Sequence, residues 1–220
     1  MGRLRGFYAS MVGKKAVMGV TGLIGVGFVI LHSLGNLLVF RGPAAINSYS
    51  HFLKSTGELL WALRIVLIAA VVLHVIAAVQ LTRQSRTARP IGYTKRESQV
   101  ATISSRTMRW GGALLLVFIV FHILHFTTGT IRPAGIFSSE DVYANVVYSF
   151  RIWWVALFYV VAMIALGLHL FHGAWSSVRS IGVSPPSPQP LKRRISVVIA
   201  ILVWAAFTAI PVAVFLGLVR

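Results

Sequence analysis

Residues 157–176 read LFYVVAMIALGLHLFHGAWS, a stretch with no Lys, Arg, Asp or Glu and with His169 inside it. It belongs to an apolar run from about 151 to 178, and about 20 such residues in a row span the hydrocarbon core of a bilayer. A span in lipid must satisfy its own backbone hydrogen bonds, so the run reads as a transmembrane helix. Four more runs meet the same test, at roughly 16–40, 59–82, 109–129 and 195–219. The expected fold is all-α and transmembrane: a five-helix membrane bundle forming a single membrane domain over residues 1–220.

Composition agrees. Hydrophobic residues make up 57% of the chain and charged residues 11%, against roughly a quarter charged in a soluble domain. There are no cysteines, which excludes disulfides, thiolate-bound iron–sulfur clusters and Cys-ligated zinc within this polypeptide. The basic segment Met1 to Lys15 runs into an apolar stretch too long for a signal peptide, so it reads as the start of an uncleaved first span.

A net charge of +17 raises the question of a nucleic-acid partner, and its distribution answers against one. Fifteen of the twenty-one lysines and arginines fall in the N-terminus, the second and fourth connections, and Arg109. Six fall on the other side, with Glu58, Glu140 and Asp141. The positive-inside rule then puts the N-terminus in the cytoplasm and the C-terminus outside. Topology and contact with anionic lipid account for the charge.

Each of the first four runs carries a histidine, and ionisable groups at membrane depth are usually functional. Helix direction and a rise of about 1.5 Å per residue place His32 and His122 on the outer side of the midplane, and His74 and His169 on the inner side. Two layers result, separated by about 10 Å or slightly more. Two imidazoles per layer would fill both axial positions of a haem iron and favour electron transfer. Gly25 and Gly35 share a face with His32, Ala70, Ala77 and Ala78 flank His74, and Gly173 lies one turn from His169. These small residues leave room for macrocycles, although they also serve ordinary helix packing.

Three histidines remain. His125 and His172 lie one turn from His122 and His169, and on residues alone either could be the ligand of its helix. As alternatives they would bond haem propionates or second-shell partners, or face polar groups near the helix ends. His51 lies before the second span near Asn47 and Glu58. This trio is either a solvated loop or the proton-carrying edge of a quinone site, since an imidazole titrates in the relevant range.

Four segments in order carry a family resemblance: LHSLGNLLVFRGPAAINSYSHFLKS (31–55), VLHVIAAVQLTR (72–83), FIVFHILHFTTG (118–129) and LFYVVAMIALGLHLFHGAWS (157–176). Over nearly its whole length the chain resembles the di-haem cytochrome b membrane subunits of succinate:menaquinone oxidoreductases (succinate dehydrogenases) and fumarate reductases. The resemblance implies two haems b on His32, His74, His122 and His169, which favours His122 over His125 and His169 over His172. It also implies a covalent-FAD flavoprotein that oxidises succinate and an iron–sulfur subunit, both on the cytoplasmic side over the basic loops. A menaquinone near the outer face, residence in a bacterial cytoplasmic (inner) membrane, and room for an oligomer of the whole complex complete the expectation. The second connection, with its run of arginines, is longer than this role requires. Competing expectations are a di-haem subunit of a hydrogenase or formate dehydrogenase, and a haem-free anchor or transporter.

Overall fold

The computed structural model describes residues 3–88, 103–181 and 190–220. Most of the second and fourth connections, with Arg89, Lys95, Arg96 and the prolines 185, 186 and 188, lie outside the described residues.

The described chain is helical, with no strand. Its elements are α1 (Arg3–Ala9), α2 (Met11–Asn36), a 3₁₀ turn (Leu37–Arg41), α3 (Pro43–Ser55), α4 (Glu58–Thr87), α5 (Ile103–His122) and a π-helical turn (Ile123–Thr127). Then come α6 (Val142–Phe150), α7 (Trp153–Ser180) and α8 (Pro190–Phe215). Five segments are long and apolar enough to cross a membrane: Met11–Arg41, Glu58–Thr87, Arg106–Thr127, Trp153–Ser180 and Arg193–Phe215. Their outward faces are apolar, with Leu31, Trp61, Ile65, Val117 and Leu202 all largely exposed. Apolar exposure on that scale marks a surface that meets something other than water, as in a multi-pass membrane protein.

The boundaries follow local chemistry. Ser10 caps α2 by accepting from the Gly13 amide at 2.9 Å, which starts the first span five residues earlier than hydropathy places it. The span tightens into the 3₁₀ turn and stops at Gly42, whose φ of 90° is open to glycine. Pro43 then opens α3 at a position where its missing N–H costs nothing.

Helix α7 is the hub. It packs against α2, α5 and α8, while α4 packs against α2. Gly167 allows a close approach of α7 to α8: a Cβ there would sit 3.3 Å from that of Trp204. Small residues set helix spacing where no hydrophobic force drives association. The main core lies toward one end, where Val39, Ile46, Val147, Phe150, Tyr159 and Val214 pack together.

That end carries a cap. The first and third connections, which look like polar loops, contain α3 and α6. Asn47 on α3 ties them together, donating to Asp141 Oδ1 at 2.9 Å and accepting from the Tyr143 amide at 3.0 Å. Asp141 also caps α6 through the Ala144 amide, at 3.0 Å. The C-terminus joins the cap through Tyr143 Oη, which donates to the Arg220 carbonyl at 2.8 Å.

Candidate functional site

The four histidines on successive spans meet in two pairs. His32 and His122 lie nearer the cap, with ring centres 5.9 Å apart and planes at 85°. His74 and His169 lie deeper, with ring centres 6.2 Å apart and planes at 60°. The helices bearing each pair, α2 with α5 and α4 with α7, do not pack closely on one another. Each pair therefore meets between helices that are not packed closely on one another.

The spacing of the layers follows from α5. His169 Cε1 lies 3.8 Å from where a Cβ on Gly112 would sit, and His122 is ten residues further on, a rise of about 15 Å. Side chains lean toward the N-terminus of their own helix. The helices of the two layers run in opposite senses, so the lean brings the rings closer than the backbone.

The ring nitrogens distinguish ligand candidates from ordinary buried histidines. His74 Nδ1 lies 3.1 Å from the Met18 carbonyl and 3.2 Å from Thr21 Oγ1. His122 Nδ1 lies 3.4 Å from Tyr159 Oη. His169 Nδ1 is buried with no partner among the described residues. The Asn36 amide donates to the His32 carbonyl at 2.7 Å and stands 3.3 Å from both ring nitrogens of His32. An equal distance to both nitrogens is not in line with either lone pair.

His125 is different. It is 3% exposed, its Nδ1 bonds Tyr159 Oη at 3.0 Å, and its Nε2 bonds Ser149 Oγ at 2.8 Å. Both nitrogens are occupied, and the ring stacks on Phe126 at 4.0 Å rather than facing His32. His172 is half-buried one turn from His169, but it is His169 that faces His74. A geometric reason to prefer His122 and His169 thus exists, where residue spacing alone left the choice open.

The pairs fit a haem. With metal–imidazole bonds of about 2 Å and about 1 Å from nitrogen to ring centre, two axial imidazoles stand about 6 Å apart, centre to centre. Rotation about those bonds leaves the angle between the rings free. Among the described residues no group of three or more His, Cys, Asp or Glu gathers on one point, so a metal held by either pair would have two protein ligands there.

The surroundings are dry. Phe28 stacks on His32 at 5.1 Å, and Phe207 of α8 lies 5.7 Å from it. Phe118 and Phe126 flank His122 at 5.6 and 5.7 Å. An apolar groove of about 490 Å³ between α2 and α4 passes Thr21 and Ala70 at the level of the deeper pair. Gly25 faces open space, as expected of a residue that leaves room. Gly35 does not: a Cβ there would meet the Tyr49 ring at 2.5 Å, so this glycine admits α3 rather than a macrocycle.

The cap residues divide. His51 Nδ1 pairs with Glu140 at 3.2 Å, and Lys54 bonds the Ser139 carbonyl and Glu140. Bonds from Ser139 and Lys54, with the Lys54 charge, hold the Glu140 carboxyl below its ordinary range. Asp141 is lowered likewise, by the Ala144 amide and then Asn47. Asn47 is spent on the α3–α6 tie, and Glu58 stands exposed in the first turn of α4. Sequence reasoning missed Tyr159, Ser149 and the π-helical turn, since a tyrosine in an apolar run carries no signal of the histidine it meets. Comparison with protein-family models, curated proteins and solved structures finds no match for this chain.

Proposed function

We propose that this chain is the di-haem cytochrome b membrane subunit of a succinate dehydrogenase or fumarate reductase. The observation that carries the haem assignment is the pair of histidine pairs, at 5.9 and 6.2 Å, on helices that do not pack closely on one another. The four matched segments carry the choice of enzyme.

His32 with His122, and His74 with His169, would each hold one haem b. When bound, the two haems would supply one-electron chemistry, relaying electrons between an iron–sulfur partner and a quinone such as menaquinone. The chain's own residues orient and shield. Met18 and Thr21 fix the His74 ring, leaving Nε2 for a metal, as a second-shell acceptor does. Phe28, Phe118, Phe126 and Phe207 keep water from the pair nearer the cap.

Charge asymmetry supports an orientation with the N-terminus in the cytoplasm of a bacterium and the cap outside. The basic connections would then face the flavoprotein and the iron–sulfur subunit, where succinate is oxidised. The quinone would lie toward the cap, with His51 beside Glu140 as the proton-carrying group and Asn47 holding the wall in place.

The test is a reduced-minus-oxidised spectrum of the purified complex with haem counted per chain. A b-type band and two haems support the assignment, and no band or one haem overturns it. Co-purification with a covalent flavin supports the succinate or fumarate enzyme. A nickel or molybdenum partner overturns that part in favour of a hydrogenase or formate dehydrogenase.

A further inference from the structure

The hydroxyl of Tyr159 is buried between two imidazoles, 3.4 Å from His122 Nδ1 and 3.0 Å from His125 Nδ1. His125 continues the line to Ser149 Oγ at 2.8 Å. Four polar side chains from α5, the π-helical turn, α7 and α6 form one chain in an otherwise apolar region. Phe118, Phe126 and Phe150 ring the phenol at 5.1, 5.7 and 4.9 Å.

His125 is carried on the π-helical turn. This turn starts directly after His122 and is closed by the Thr128 amide on the Ile123 carbonyl at 3.0 Å. At a spacing of three residues His122 and His125 share one face and reach the same tyrosine, and single π turns of this kind recur at functional sites.

A phenol has one proton, so of its two Nδ1 neighbours one must donate and the other accept. Nothing in the bare chain fixes the direction. A metal on His122 Nε2 would fix it, because the remaining Nδ1 must then carry hydrogen and donate to Tyr159. Tyr159 donates in turn to His125 Nδ1, and His125 Nε2–H donates to Ser149 Oγ. Every group then makes one consistent set of bonds, and bonds in such a chain polarise one another in a dry environment.

Resting on the di-haem assignment, we infer that Tyr159, backed by His125 and Ser149, is a positioning residue that accepts from His122 Nδ1, orients its ring and strengthens it as a donor to the haem nearer the cap. A stronger axial donor stabilises the oxidised iron, so this line of bonds holds that haem's reduction potential down. In the deeper pair His169 Nδ1 meets no partner among the described residues, while His74 Nδ1 lies against the Met18 carbonyl and Thr21 Oγ1.

The experiment is a redox titration of the whole complex, read at the b-type band, for wild type, Tyr159→Phe and Ser149→Ala. Tyr159→Phe is expected to keep two haems per chain and to shift one of them about tenfold toward reduction, ~59 mV for one electron. The other haem stays unmoved. Ser149→Ala removes only the far acceptor, so it gives a smaller shift of the same sign in the same haem. Unchanged potentials in Tyr159→Phe, or an equal shift of both haems, overturn the inference. Where Tyr159→Phe does not assemble, Ser149→Ala decides alone: an upward shift of one haem supports it, and unmoved potentials overturn it. A wild-type complex without two b-type haems overturns the assignment beneath the inference, a separate outcome.

Discussion

The imidazoles of His74 and His169 face each other at 6.2 Å from helices that do not otherwise pack together. Two imidazole rings alone are a weak reason to hold two spans at that spacing, whereas a shared metal is a strong one. Either His74→Ala or His169→Ala is therefore expected to lower haem from two per chain to one while leaving a b-type band. His32→Ala or His122→Ala should do the same for the other pair. Haem extraction against protein mass measures it, and two haems retained in His74→Ala would refute the pairing.

His125→Ala is expected to behave differently. It removes the partner of both Ser149 and Tyr159 in a buried setting, and each stranded polar group costs about 1–3 kcal/mol. The variant should keep both haems yet unfold at a lower temperature in detergent. His172→Ala, on a half-buried ring, should change neither. Loss of a haem in His125→Ala would move the ligand assignment on α5 by one turn.

The five spans were legible because lipid imposes a rule on every residue of a span, and a run of apolar residues cannot hide it. The two histidine layers were legible for a similar reason, since helix direction and rise convert position into depth. What escaped depends on partners far along the chain. Helices α3 and α6 are too short to stand out as spans, and it is Asn47 bonding Asp141, 94 residues away, that ties them together. Gly35 looked like space for a cofactor and is space for Tyr49. The role of Tyr159 depends on two imidazoles 37 and 34 residues back along the chain, which no periodicity announces.

The connection between α5 and α6 turns on two glycines with left-handed backbone, Gly129 at φ 63° and Gly135 at φ 74°. A Cβ at Gly129 would also overlap the Phe137 ring, whereas at Gly135 it would meet nothing. Gly129→Ala should thus cost more than Gly135→Ala, which pays only for its backbone, about 1 kcal/mol of a 1–3 kcal/mol range. Thermal unfolding of the two variants side by side measures the difference. Equal losses would mean that the Phe137 ring yields without penalty.

Acid should loosen the cap. The Asp141 carboxyl is held below its ordinary 3.8 by the Ala144 amide and Asn47, so its folded form binds protons less readily than its unfolded form. The stability it contributes is complete above about pH 4 and is lost as pH falls through the lowered folded value. Glu140 shifts in the same direction, but it is fully exposed and screened, so Asp141 should dominate. Asp141→Asn keeps an N-cap acceptor without a titrating proton and should flatten the acid limb of the stability profile. Asp141→Ala removes the cap itself and should cost about 1 kcal/mol at neutral pH. Amide exchange in 43–55 and 142–150 between about pH 6 and about pH 2 resolves this locally. If protection there falls with the same pH dependence in wild type and Asp141→Asn, the tie between Asn47 and Asp141 is not what holds the cap closed.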